Sequence, residues 1–130
     1  MDIKAEAKYL RISPRKLRLV AETVKKMPLE MATANLTLMN KKGASLLLKL
    51  LKSAISNAKN NLNLREEDLK IKSITVDKGI VFKRWQPVSR GMAHAYKKQT
   101  SHAKIILEEI AKKTAKGKKI TKRRKNGAKS

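Results

Sequence analysis

The sequence predicts an α+β fold with a long protruding hairpin and a basic C-terminal tail that is disordered when free. Three observations carry this. Residues 3–10, IKAEAKYL, alternate apolar and polar side chains, the period of a half-buried strand. Residues 13–62 switch to helical spacing, with a Pro near each of the first two helix starts. From residue 69 the period returns to two on either side of a long basic link.

In the first strand, Ile3, Ala5, Ala7 and Tyr9 fall on one side, and Lys4, Glu6 and Lys8 on the other. Ser13-Pro14 then reads as a helix start, with the Ser oxygen as cap and Pro at the first helical position. Leu17, Val20, Ala21 and Val24 form the apolar stripe of this first helix. Pro28 ends it and opens a second, in which Leu29, Ala32, Leu36 and Met39 keep helical spacing. The third helix has the longest pattern: Leu47, Leu48, Leu51, Ala54, Ile55, Ala58 and Leu62, flanked by Leu46 and Leu50. Asn40 is its expected cap, and Asn60-Asn61 its expected exit. It is the expected centre of the core.

Leu69 and Ile71 share one strand phase, whereas Ile74 and Val76 take the other. A bulge near Ser73 reconciles them. Ala103, Ile105 and Leu107 form the last strand. A turn centred near Val88 would set Leu69 opposite Leu107 and Ile71 opposite Ile105.

Composition restricts function. Lys and Arg number 33 against 10 acids, a formal charge of +23. Such a chain repels itself in water and suits a dense polyanion, nucleic acid first. With no Cys, disulfides, thiolate metal sites and Cys nucleophiles are excluded. No apolar run approaches the ~20 residues of a membrane span, and MDIKAEAKYL does not read as a signal or transit peptide, so a cytoplasmic protein is expected. Residues 112–130 carry ten basic residues and no acid. They lack the apolar surface to offset chain entropy, and without them the formal charge is still +13.

Each arm of the hairpin runs about eight residues beyond Ile80, roughly 25 Å. That exceeds the ~13 Å radius of gyration of a body of about 100 residues. Lys83, Arg84, Arg90, Lys97 and Lys98 supply cations, and no acid occurs between Asp77 and Glu108. Trp85 offers a stacking surface, while Pro87 and Gly91 shape the tip. The plain alternative is a solvated loop whose Trp folds back on the core. No enzyme is legible: His94 and His102 alone make a poor metal site, Ser13 reads as a cap, and Glu66, Glu67 and Asp68 read as a solvated turn. Neither a P-loop nor a dinucleotide fingerprint occurs, and no cofactor is implied.

ISPRKLRLVAETVK, SAISNAKNN at 53–61 and ITVDKGIVFKRWQPVSRGMAHAYKKQTSH at 74–102, in this order, resemble the family of bacterial large-subunit ribosomal protein L twenty-two. The resemblance covers roughly residues 3–109. Its most specific parts are Lys83-Arg84, Pro87, Arg90-Gly91, Thr100-Ser101-His102 and the SA-x-x-NA motif. It implies three helices against a three-stranded antiparallel sheet with a long β-hairpin, and a monomer within the ribosome. It also implies binding to large-subunit ribosomal RNA of the 23S type, support of its folding and assembly, and a hairpin tip in the wall of the peptide exit tunnel. Neighbouring ribosomal proteins, among them L four at the tunnel constriction, and the passing nascent peptide would be the other partners.

By the same resemblance, Arg84, Trp85, Gln86, Pro87, Val88, Ser89, Arg90, Gly91 and Met92 form the tip region. Ser13, Arg15, Lys16 and Arg18 match the RNA-facing motif of the first helix. Lys83, Arg84, Trp85, Arg90, Lys97, Lys98, Ser101 and His102 are further expected RNA contacts, as are Lys118, Lys119, Lys122, Arg123, Arg124 and Lys125 of the tail. The expected organisation is an RNA-binding domain over 1–111, with the hairpin at about 80–98, and an extension over 112–130. Two rivals share the composition. An architectural DNA-binding protein with β-arms would use Pro at the arm tip as a wedge, yet such proteins dimerise through apolar surface that this chain spends on one core. A cationic membrane-active protein would need an exposed apolar face on a basic helix.

Overall fold

A computed structural model of the chain describes residues 1–110. The tail, with its six named cations, lies outside the described residues. Strand β1 (Asp2–Leu10) is followed by helices α1 (Pro14–Lys25), α2 (Leu29–Leu38) and α3 (Lys42–Leu62). The long strands β2 (Leu69–Pro87) and β3 (Ala93–Glu109) complete the fold. The sheet is antiparallel, in the order β1-β3-β2. Both ends of the chain's strand pattern therefore meet on β3, and one sheet face is free to bury itself under the helices.

The helical stripes do this. Leu17, Val20, Ala21 and Val24 of α1 are buried, as are Leu29, Ala32 and Leu36 of α2. In α3, Leu47, Leu50, Leu51, Ala54, Ile55 and Ala58 are buried, while Leu46 and Leu48 are half-buried. Leu62, expected in the stripe, is the last residue of the helix and is exposed. From the sheet, Ile3, Ala5, Leu69, Val76, Ala103, Ile105 and Leu107 meet this layer. With no aromatic in the buried set, the core is aliphatic throughout.

The bulge expected near Ser73 is present, between Ile71 and Ser73. It inserts Lys72, so that Ile71 pairs with Leu107 while Ile74 pairs with Ile105 and Val76 with Ala103. All these residues then look inward despite the phase change in the sequence. The expected register is corrected by two residues: Leu69 faces Glu109 and Ile71 faces Leu107. The hairpin turns about Arg90 rather than Val88. An even slip keeps each side chain on its face, which is why the pattern alone did not reveal it. Lys72 reaches across to Asp2 at 2.9 Å. The ammonium beside it, through the hydrogen bond first, holds the Asp2 carboxyl below its ordinary value of 3.8. The same bond raises the Lys72 amine above 10.5.

Three further expectations change. Tyr9 was expected on the buried side of β1, yet it is exposed. The β1–β3 register shifts between Ala7 and Leu10, and Tyr9 takes a left-handed φ of 58° that turns it outward. Its backbone N–H donates instead to Nδ1 of His102 at 3.0 Å. Ser13 precedes α1 with Pro14 at the first position, but its hydroxyl caps nothing. The cap of α3 is Lys41 rather than Asn40, and the left-handed exit falls at Asn63 rather than Asn60-Asn61.

Candidate nucleic-acid interface

Beyond the body, β2 and β3 continue alone as a two-stranded ribbon. A second register shift, between Lys78 and Val81, marks where it departs. Seven cross-strand pairs follow, from Val81–Gln99 to Pro87–Ala93, and no residue in them is buried. At ~3.3 Å per residue the ribbon reaches about 20 Å past the body. Trp85 is 69% exposed. Its cross-strand partner is Ala95, too small to cover an indole. The Trp therefore does not fold back on the core.

The tip closes with Val88 N–H donating to the Met92 carbonyl at 2.8 Å. Between them Arg90 and Gly91 both take positive φ, 63° and 66°. Gly meets no steric cost there, whereas Arg does. Gln86, Pro87, Val88, Ser89 and Met92 complete an exposed tip, and Val88 and Met92 add apolar surface beside Trp85.

The ribbon's charges are placed against its own stability. Lys83 sits directly opposite Lys97. Like charges in this relation repel, and a lone two-stranded ribbon is marginal in water. A polyanion alongside would remove the repulsion. Arg84 lies over the Phe82 ring, 5.5 Å from its centroid, and donates to the Lys83 carbonyl at 3.0 Å. Lys98 is the cross-strand partner of Phe82.

At the foot of the ribbon these side chains meet the start of α1. The Ser13 hydroxyl donates to Gln99 Oε1 at 3.3 Å, joining helix to ribbon. Beside this link opens a groove of about 690 Å³, with Lys16, Lys42, Arg84 and Lys98 among its walls. A second depression borders the same two residues and is lined also by Arg15, Arg18 and Lys78. Neither is lined by an acid. Two residues far apart in sequence, Ser13 and Gln99, thus border two cationic hollows.

Arg18 is partly committed elsewhere. Its Nε and Nη2 both donate to the Val76 carbonyl, at 3.2 and 3.0 Å. This caps an outward carbonyl of the edge strand β2, and leaves the rest of the guanidinium facing solvent. Ser101, expected to touch RNA, is fully buried at 0% exposure, and its hydroxyl finds no partner among the described residues. Its side chain is thus not presented at the surface of this structure. His102 is half-buried, accepts from Tyr9 N–H and packs edge-on against the Tyr9 ring at 5.0 Å.

Sequence reasoning missed Arg11, Lys42 and Phe82, all of which line the larger groove. Phe82 was detectable, since it lies two residues before Arg84 and so shares its ribbon face. Lys42 carried no signal. It reaches the groove only because α3 starts beside Arg11, to whose carbonyl it donates at 3.1 Å.

An α+β body, a bare cationic ribbon with an exposed Trp and acid-free hollows at its foot define a small, basic protein that presents an extended cationic surface. Residues 5–108 match the family model described as ribosomal protein L22p/L17e, and the chain belongs to that family. Large ribosomal subunit protein uL22 of Thermus thermophilus is 46% identical over 109 residues, covering 84% of this chain and 96% of that one. The protein of the same name from Chloroflexus aggregans is 42% identical, with the same coverage of each chain. That of Maridesulfovibrio salexigens is 43% identical over 110 residues, 85% of this chain and all of its own. This is a family of structural ribosomal proteins, not of enzymes.

Proposed function

We propose that the chain is a structural constituent of the large ribosomal subunit that binds large-subunit ribosomal RNA and supports its folding and assembly. Its ribbon tip lines the peptide exit tunnel. The observation that carries this reading is the ribbon itself: about 20 Å of exposed, acid-free β-structure with Lys83 set against Lys97 and Trp85 uncovered. Such an element is poorly stable alone and gains from threading between phosphates. Family membership supplies the ribosomal setting, in the cytoplasm, and the relatives' shared name points to the large subunit.

On this reading, Arg15, Lys16 and the free part of Arg18 hold RNA at the body, with Lys83, Arg84, Arg90, Lys97 and Lys98 along the ribbon. Recognition rests on RNA shape and phosphate position more than on base sequence. The exposed tip, Arg84 to Met92, faces the nascent peptide and the neighbouring protein L four. Residues 1–111 act as the RNA-binding domain, and 112–130 adds general phosphate attraction. The test is sedimentation of a cell extract. The native protein is expected with large ribosomal particles and retained through a high-salt wash. Release at low salt, or sedimentation with DNA instead, would refute the proposal.

A further inference from the structure

Phosphate binding alone does not account for the groove at the foot of the ribbon. Its rim is cationic, yet its floor is not. Ile12, 8% exposed, forms part of that floor, and the Phe82 ring, 43% exposed, stands beside it. Cations on flexible stems suffice to hold an RNA backbone, with no need for a solvent-exposed aromatic. An unpaired base does need a flat apolar surface. Phe82 provides one, and the Arg84 guanidinium over that ring adds a planar cation of the kind on which bases stack.

The size and the polar groups agree. A volume of about 690 Å³ falls within the ~300–1,000 Å³ of small-molecule sites, which suits a nucleotide and not a duplex. Ser13 engages only the Oε1 of Gln99, leaving the amide nitrogen to meet a base edge. Lys16, Lys42 and Lys98 stand around the floor, where phosphates on either side of a single inserted nucleotide would lie.

We propose that this groove takes one unpaired nucleotide of the bound RNA, its base against Phe82, Arg84 and Ile12 and its flanking phosphates on Lys16, Lys42 and Lys98. The inference rests on the RNA-binding reading above and adds to it a seat for a single base at a fixed place on the body. The groove would then hold the foot of the ribbon in register with the RNA before the tip is threaded.

Large subunits reconstituted with the full-length chain provide the test. Phe82 is replaced by the photoreactive benzoylphenylalanine, and the crosslinked nucleotide is mapped by primer extension. In parallel, base-specific chemical probing compares particles carrying the wild-type chain with those carrying Phe82→Ala and Phe82→Tyr. A crosslink confined to one unpaired nucleotide is expected, with its base several-fold more reactive in Phe82→Ala and protected again in Phe82→Tyr. Crosslinks spread along paired strands, no RNA crosslink, or reactivity unchanged in Phe82→Ala would overturn the inference while leaving RNA binding intact. A wild-type chain that does not enter the particles would overturn the RNA-binding reading, and this inference with it.

Discussion

Arg90 serves its turn badly, and the role proposed for it in RNA binding would explain why it stands there. With φ at 63°, it occupies the left-handed region, which costs a side-chain-bearing residue roughly 1–2 kcal/mol. Gly91 beside it takes the same conformation freely. A sequence chosen for turn stability alone would place Gly or Asn at position 90. Two variants separate the conformational role from the charge. Arg90→Gly removes both strain and charge, whereas Arg90→Ala removes only the charge. Hydrogen exchange at the Val88 amide, which is bonded to Met92, is expected to slow in Arg90→Gly and not in Arg90→Ala. Binding to ribosomal RNA is expected to weaken alike in both, with the slope of log affinity against log salt shallower by about one. Unequal slopes would show that the turn, not the guanidinium, carries the contribution of this position. Nothing in the sequence disclosed the strain at Arg90. A positive φ depends on where the turn centres, and the turn was displaced by two residues from the expected place.

Among the elements, β2 carries the decisive irregularities. Its first bulge, at Lys72, was legible because Leu69, Ile71, Ile74 and Val76 conflict in phase, and a conflict of apolar positions has few remedies. Its second, at Gly79-Ile80, was not legible, since no side chain of the ribbon beyond it is buried and none carries an inward phase to violate. Yet this second bulge is where the ribbon leaves the body. A Cβ on Gly79 would lie 2.5 Å from Thr100 Oγ1 and 3.1 Å from the Thr100 carbonyl group. The Thr100 hydroxyl itself donates to the Ile80 carbonyl at 2.6 Å, so it cannot swing aside without losing that bond. Gly79→Ala is therefore expected to cost about 1–3 kcal/mol in denaturant unfolding, as overpacking does. Chemical-shift changes should spread up the ribbon through Val81 and Gln99 and spare α3. A neutral Gly79→Ala would mean that the ribbon's take-off is not fixed by this contact. The helices were the more readable elements, because their stripes meet one layer. Their ends were less so: Ser13 was diverted from capping by Gln99, a partner 86 residues away in sequence.

For the whole molecule, the division of labour between body and ribbon is itself testable. Every side chain in the core cluster comes from β1, the helices, the Ile12 connection, or the parts of β2 and β3 below Gly79 and Thr100. The ribbon contributes none. Replacing Gln86–His94 by an Asn-Gly turn joins Trp85 to Ala95, which already face each other. Because no buried residue is removed, the unfolding free energy should stay within about 0.5 kcal/mol of the wild type, as for surface changes elsewhere. The shortened chain should keep the Ser13–Gln99 link and the groove at the ribbon foot, and so still enter large ribosomal particles, now without the tip that the proposed function sets in the tunnel wall. Electron cryomicroscopy of the particles would show the missing density, and unfolding of the free chain would give the stability. Two results would refute this division. A shortened chain unable to fold would place the ribbon in the folding core. A folded chain excluded from particles would move the anchoring energy from the cationic foot to the tip, and the hollows around Ser13 and Gln99 would lose their assigned part in docking.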